Sequence, residues 1–64
     1  MDEFISVFED MPLDDPFYKI LTVNVIVKLK DGTTTTAFYD NKNAVWWDYE
    51  TMKTLQGVVA WKSL

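Results

Sequence analysis

The clearest pattern in the chain is an alternation of apolar and polar positions between residues 20 and 30. Apolar side chains stand at every second position, which is the two-residue period of a strand with one buried face. Most of them are β-branched, which also favours extended backbone. The pattern predicts a strand over Ile20–Lys30, with an apolar face formed by Val23, Val25, Val27 and Leu29.

Asp31-Gly32 follows this strand and predicts a tight hairpin. Asp-Gly is favoured in two-residue type I′ turns, because both central residues need positive φ. Thr33–Tyr39 is then the returning strand, since a run of threonine favours extended backbone. The two-residue loop fixes the expected register: Lys30 pairs with Thr33, Lys28 with Thr35, Val27 with Thr36 and Val25 with Phe38.

This register predicts which side chains share the core face. Phe38 joins the apolar positions of the first strand, so the expected core face holds Val23, Val25, Val27, Leu29 and Phe38. The opposite face is expected to be partly wet. It would hold Asn24, Ile26, Lys28, Lys30, Ala37 and Tyr39.

Three further segments complete the predicted sheet. They are Phe4–Phe8, Ala44–Tyr49 after a turn at residues 40–43, and Val58–Lys62. Glu50–Gly57 shows little alternation and is interpreted as a loop or a single helical turn that Gly57 caps. The predicted fold class is all-β with at most minor α content: a small antiparallel meander of four to five strands, strongly twisted or partly closed into a barrel.

The chain of 64 residues suits one small β domain. Residues 1–18 would form an acidic N-terminal strand and loop, and residues 19–64 the antiparallel sheet. No long amphipathic helix is predicted to cover the apolar face. Twisting, partial barrel closure or a partner chain must therefore cover it.

Charge is distributed unevenly along the chain, whose formal net charge is −4. All six lysines lie in residues 19–64, whereas residues 1–18 contain no base. The carboxylates of that first segment are Asp2, Glu3, Glu9, Asp10, Asp14 and Asp15. Such a segment favours a basic protein partner over a phosphate backbone, or it is only a solvated edge.

Location is predicted from what the sequence lacks. It has no cysteine, no basic region before its first apolar residues and no apolar stretch near the roughly 20 residues that span a bilayer. We expect a cytoplasmic protein of the host cell, not associated with a membrane.

The composition excludes most catalytic sites. The chain has no histidine and no cysteine, so neither Ser6 nor Ser63 has the usual activating base. The adjacent carboxylates Glu9-Asp10 and Asp14-Asp15 lie in a proline-containing loop, and their spacing matches no EF-hand. No glycine-rich phosphate loop is present. We expect no enzymatic activity, no cofactor and no metal site.

The adjacent aromatic residues Trp46 and Trp47 must point to opposite faces of one strand. At most one can join the core, and the other is either buried under a loop or exposed as a recognition patch beside Tyr49. Stacking of single-stranded bases is a third alternative. With the loop carboxylates, the candidate partner-binding residues are Asp10, Asp14, Asp15, Trp46, Trp47 and Tyr49.

The order of these elements resembles a family of short phage and prophage proteins of unknown function. Its members open with a W-I-S-V-like strand and an L-P loop, continue with V-L-V, D-G and an aromatic-Y-D strand end, and close on V-T-H-W-M-P-L-P. The matching segments here are Phe4-Ile5-Ser6-Val7, Met11-Pro12, Val25-Ile26-Val27, Asp31-Gly32, Phe38-Tyr39-Asp40 and residues 58–64. The family's opening Trp is Phe4 here, its closing His is Ala60 and its final Pro is Ser63. The resemblance implies a compact β fold and a phage or mobile-element origin, and it implies no known reaction.

Two functional hypotheses follow. The first is a phage or mobile-element protein that binds a host or phage protein with a basic surface. Its most concrete form is an inhibitor of a nucleic-acid-processing defence enzyme, such as a CRISPR effector, in which carboxylates mimic phosphates. The alternative is a structural accessory protein that covers its sheet by self-association, for example as a homodimer. Neither hypothesis expects the chain to bind nucleic acid directly.

Overall fold

The computed structural model describes residues 3–64, and within them six strands form one antiparallel sheet without any helix. The strands are β1 (Ile5–Ser6), β2 (Val25–Leu29), β3 (Thr34–Asp40), β4 (Val45–Asp48), β5 (Thr54–Leu55) and β6 (Val58–Ser63). Their order across the sheet is β1-β6-β2-β3-β4-β5. The all-β antiparallel prediction is confirmed: β2 to β5 form a meander, and β6 returns to the other edge of β2.

The sixth strand lies in the segment that we expected to be a loop or a helical turn. Thr54 and Leu55 form β5, and they pair with Trp47 and Trp46 of β4. One helical-type turn does follow β4, because the Met52 amide donates to the Asp48 carbonyl at 2.8 Å, but it ends at Met52, whose φ is 58°, so the predicted cap at Gly57 was wrong. A strand of two residues is too short to show an alternation, so the sequence pattern could not reveal it.

The hairpin between β2 and β3 has a loop of three residues, not two. The Leu29 amide donates to the Thr33 carbonyl at 2.8 Å, and the Gly32 amide donates to the Leu29 carbonyl at 2.9 Å. Gly32 has a φ of 91°, whereas Asp31 is not among the residues with positive φ. This is a type I turn followed by a left-handed glycine, so the predicted type I′ turn was wrong.

The extra loop residue shifts the register by one and exchanges the faces of β3. Val25 lies opposite Ala37 instead of Phe38, and Val27 lies opposite Thr35. Phe38 therefore points away from the two valines. Ala37 and Tyr39, which we expected on the wet face, lie on the core side.

The core occupies one face of the sheet. Val25 and Val27 are 1% and 0% exposed, which confirms their predicted burial. The rest of the buried cluster consists of Ala37, Trp46 and Trp61. Tyr39 packs edge-on against Trp46, with ring centroids 5.2 Å apart, a favoured aromatic geometry.

The sheet must curl around this core. Only Gln56 and Gly57 connect β5 to β6, although four strand spacings separate these strands in the sheet order. A flat sheet would place them about 19 Å apart, whereas the three residue steps from Leu55 to Val58 reach at most about 11 Å. The Lys30 amide donates to the Gly57 carbonyl at 2.8 Å and holds the connection against the hairpin. The terminal strands do not pair, so the curled sheet is not closed into a barrel.

The N-terminal segment covers the rest of the core. Val7, Met11 and Val23 pack against the buried cluster. The Trp61 indole donates to the Asp10 carbonyl at 2.9 Å, which fixes the segment over the core face. The chain's own residues 7–23 therefore provide the cover that the sequence left unassigned.

We predict that Val27→Ala lowers the free energy of unfolding by about 1–3 kcal/mol, because the deleted methyl groups leave a cavity. Chemical denaturation measures the change. Thr34→Ala, at an exposed position of β3, is the matched control and should have little effect. Equal effects of the two substitutions would contradict the assignment of the core face.

We predict that Ala44→Gly stabilises the protein. Ala44 is exposed and has a φ of 56°, a left-handed conformation that costs an L-residue about 1–2 kcal/mol. Glycine removes this strain, but it also makes the unfolded chain more flexible, which lowers the free energy of unfolding by about 0.4–1 kcal/mol. The strain is the larger of the two effects, so we expect a small net increase in stability. Ala60→Gly on β6, where φ is not positive, should instead destabilise. Thermal unfolding of both variants is the test. If both substitutions raise the unfolding temperature, or both lower it, the strain assigned to Ala44 is rejected.

Candidate functional site

The most distinctive surface of the protein is the segment of residues 8–20, which we call the acidic loop. It contains Glu9, Asp10, Asp14 and Asp15 against a single base, Lys19. Backbone hydrogen bonds tie it to residues 21–23. The Asp15 amide donates to the Leu21 carbonyl at 2.8 Å, and the Val23 amide donates to the Leu13 carbonyl at 2.9 Å. The acidic loop therefore has a defined conformation before it meets a partner.

Large apolar side chains of the acidic loop point into solvent. Phe8 is 93% exposed, Phe17 87%, Leu13 80% and Tyr18 68%, and Ile20 is also exposed. Exposed apolar side chains that share one surface segment often mark a site of protein–protein contact, so these residues are candidates for contact with a partner.

The three carboxylates predicted to bind a partner all lie on the acidic loop. Asp15 accepts from the amides of Phe17 and Tyr18 at 2.7 and 3.1 Å, so it forms the turn that presents these two aromatic rings. Asp10 accepts from the Met11 amide at 2.9 Å, and Asp14 accepts from the Asn41 side chain at 3.1 Å. Each carboxylate thus holds the loop in shape and also contributes its negative charge.

Sequence reasoning missed the apolar residues of the acidic loop as candidates. They lie before, between and after the carboxylate pairs Glu9-Asp10 and Asp14-Asp15, and this interleaving was the available signal. Periodicity could not show which of them face solvent, because a loop has no fixed repeat. Met11 is half-buried and Pro12 is buried, whereas Leu13, the next residue, is exposed.

The two adjacent tryptophans lie on opposite faces of the sheet, as predicted. Trp46 is 8% exposed and belongs to the core, so burial removes it from the candidate binding residues. Trp47 is half-buried and lies opposite Phe38 on the other face. Tyr49 is exposed, and its amide donates to the Thr36 carbonyl at 2.9 Å, which continues the β4 pairing.

The face of the sheet that points away from the core forms a second candidate surface, which we call the outer face. Its members, assigned by strand alternation and the two lysine contacts to Phe4, are Phe4, Ile26, Lys28, Phe38, Trp47 and Lys62. The Lys28 and Lys62 ammonium groups lie 4.5 and 5.0 Å from the Phe4 ring centroid, within the range of cation–π attraction. The outer face therefore combines two lysines with buried Phe38 and half-buried Phe4, Ile26 and Trp47.

A buried carboxylate fixes one end of the outer face. Asp40 accepts hydrogen bonds from the Lys42 and Asn43 amides at 2.9 and 3.1 Å, and from the Asn43 side chain at 2.7 Å. The Trp47 indole also donates to it, at 3.4 Å. The bonds from Asn43 are the main reason that the pKa of Asp40 lies below its usual value. Asp40 is therefore held ionised, and it orders the β3–β4 turn and positions Trp47.

The acidic side chains of the described residues do not gather into a metal site. Between residues 3 and 64 there is no group of three or more acidic, histidine or cysteine side chains placed to hold a metal ion. Nor does this part of the chain contain a helix long and apolar enough to cross a membrane. An open hollow beside the β2–β3 hairpin, lined by Leu29, Lys30, Asp31, Gln56 and Gly57, contains no nucleophile with an activating base.

We predict that stability falls in acid. Hydrogen bonds lower the pKa values of Asp31, Asp40 and Asp48 in the folded state, below the unfolded value of about 3.9. Their contribution is therefore complete above the unfolded pKa and is lost as the pH falls through the folded values. Denaturation midpoints measured between about pH 5 and pH 2 should decrease.

Asp40→Asn should weaken this pH dependence, because the amide does not titrate. Glu50→Gln, at an exposed position in the turn after β4, is the matched control and should retain it. A midpoint that is constant across this range would contradict the assignment.

Comparisons with known proteins assign no function to the chain, so a proposal has to start from the acidic loop and the outer face. No family model matches the chain, and no curated protein or solved structure matches it. The resemblance to short phage proteins therefore stays a prediction.

Proposed function

We propose that this protein is a small binding module that engages a partner protein through the acidic loop. The observation that carries the proposal is the interleaving of carboxylates with apolar side chains that are 68–93% exposed. Apolar anchors supply most of the affinity at protein interfaces, while exposed charges guide the encounter. The partner surface should therefore be basic and should contain apolar pockets.

The conformation of the acidic loop supports this proposal. The loop is tied to the core through the Trp61–Asp10 hydrogen bond and through Met11. Asp15 holds Phe17 and Tyr18 in one turn. A surface that is ordered before binding loses less conformational entropy when the complex forms.

In its most specific form, we propose that the partner is a nucleic-acid-processing enzyme, such as a host defence nuclease, and that the protein inhibits it. Grooves that hold single strands combine positive charge with surfaces for base stacking. The acidic loop offers groups of matching chemistry: in this proposal the carboxylates of Asp14 and Asp15 take the place of phosphates, and the rings of Phe17 and Tyr18 take the place of bases. The phage or mobile-element origin implied by the sequence resemblance is consistent with this role.

The test starts with a partner captured from host lysate on the immobilised protein, followed by binding kinetics with the purified partner. We predict that Phe17→Ala weakens binding about tenfold or more, mainly through faster dissociation. Met52→Ala is the matched control, because Met52 is an exposed apolar residue outside the acidic loop. Equal effects of the two substitutions would reject Phe17 as an anchor.

Charge is tested by neutralising Asp10, Asp14 and Asp15 together with asparagine, which keeps an accepting oxygen for the loop hydrogen bonds. Association should slow, and the salt dependence of binding should flatten, because exposed charges are screened over about 8 Å at physiological ionic strength. Glu50→Gln is the control. An affinity that does not depend on salt and is unchanged in the triple variant would eliminate phosphate mimicry. A single-stranded oligonucleotide that does not compete with the protein for the partner would eliminate it as well.

A further inference from the structure

The second half of the acidic loop is one side of a short hairpin. Residues 13–15 run antiparallel to residues 21–23, joined by two backbone hydrogen bonds and by a bridge in which Asp14 lies opposite Thr22. Residues 16–20 connect the two sides and carry the exposed rings of Phe17 and Tyr18. We call residues 13–23 the tip hairpin, because the candidate aromatic anchors lie at its tip.

The tip hairpin is joined to the end of β3. The Thr22 amide donates to the Tyr39 carbonyl at 2.9 Å, and the Asn41 amide donates to the Ile20 carbonyl at 2.7 Å. The Asn41 side chain also donates to the Asp14 carboxylate at 3.1 Å. The tip hairpin therefore continues the sheet beyond the point where β2 pairs with β3.

Thr22 is the buried residue of this joint, with 3% of its surface exposed. Its hydroxyl oxygen accepts from the Tyr39 amide at 2.9 Å and donates to the Val23 carbonyl at 3.1 Å. In a regular antiparallel pair the Tyr39 amide would donate to a main-chain carbonyl, so the hydroxyl takes the place of that carbonyl. Without the hydroxyl, a partly buried donor would lose its partner, which is costly.

Hydrogen bonds hold the tip hairpin more than apolar packing does. Among residues 13–23, all of which the structure describes, Val23 alone packs against the buried cluster. The preceding part of the acidic loop is different, because Met11 packs on that cluster and the Asp10 carbonyl accepts from the Trp61 indole. Segments with few buried apolar contacts open at a lower free energy than the core, so the tip hairpin can open while the rest of the sheet stays folded.

We propose that Thr22 is a positioning residue of the binding surface. Its hydroxyl, with Asn41 as a second support, locks the tip hairpin onto β3, and the hairpin opens and closes on this joint as a unit separate from the core. The closed form holds Phe17 and Tyr18 in one arrangement with the carboxylates of the loop. The role of that arrangement rests on the proposed function, whereas the joint is a property of the free protein.

The experiment measures amide hydrogen exchange, residue by residue, in the purified protein without a partner. Thr22→Val keeps the shape of the side chain and removes the hydroxyl, whereas Thr22→Ser keeps the hydroxyl. The amides of Asp15 and Val23, which are bonded across the tip hairpin, should exchange about tenfold or more faster in Thr22→Val than in the wild type. Thr22→Ser should stay close to the wild type. Equal exchange in Thr22→Val and the wild type would overturn the role of Thr22.

Val27→Ala is the control that separates local opening from unfolding of the whole domain. It should speed the exchange of the amides that pair β2 with β6, because these open by global unfolding, and it should leave Asp15 and Val23 unchanged. If the amides of Asp15 and Val23 respond to Val27→Ala as strongly as that ladder does, the tip hairpin is not a separate unit and the inference is rejected.

A milder variant keeps the inference testable if Thr22→Val does not fold. Asn41→Ala deletes the side-chain hydrogen bond to Asp14 and leaves the buried joint intact. The amides of Asp15 and Val23 should again exchange faster than in the wild type. Unchanged exchange of both amides would then contradict the inference.

Binding kinetics with the partner purified for the Phe17→Ala comparison separate this inference from the proposed function. Only the closed hairpin has the binding arrangement, so the affinity of Thr22→Val should fall by the factor by which the closed fraction falls, and Thr22→Ser should restore it. The exchange rates of Asp15 and Val23 give that fraction. An affinity that is unchanged although the hairpin is open would contradict binding through the acidic loop, and it would leave the Thr22 joint standing.

Discussion

Between residues 3 and 64, one sheet of short strands has to bury its apolar face without a helix, and the other features of the fold follow from this requirement. The connection of Gln56 and Gly57 between β5 and β6 forces the sheet to curl, because so few residues cannot cross a flat sheet of this width. Curling brings Trp46 and Trp61 together over Val25 and Val27. Two large indoles then fill a core that aliphatic side chains alone could not fill in so small a domain.

The remaining opening in the core determines the conformation of the N-terminal segment. Trp61 is the link, since its ring packs in the buried cluster while its indole nitrogen donates to the Asp10 carbonyl. Met11 and Val7 turn inward on either side of this bond. Their neighbours Phe8 and Leu13 are consequently held outward. The same segment therefore stabilises the fold and displays the surface to which we assign a function.

The arrangement also explains how an acidic, apolar surface can remain exposed on a marginally small domain. Carboxylates between the apolar side chains keep the acidic loop hydrated and repel like surfaces on other copies. Asp15 adds a local role, because its hydrogen bonds to the Phe17 and Tyr18 amides fix the turn that carries both rings. Two substitutions separate these roles. Asp15→Asn removes the charge but keeps an accepting oxygen, whereas Asp15→Ala removes both the charge and the hydrogen bonds.

Residue patterns were enough to derive the all-β class, the strand character of β2 and β3, the burial of Val25 and Val27, the opposite orientation of Trp46 and Trp47, and the concentration of negative charge near the N-terminus. These features follow from a local period of two or from residue counts. The register of β3 could not be derived from the sequence, because one additional loop residue at Lys30–Gly32 exchanges the faces of Ala37 and Phe38. Nor could the sequence show which loop side chains cover the core and which face solvent. The reason is that a loop has no repeat, so the environment of Leu13 or Phe17 depends on contacts with strands that lie far away in the sequence.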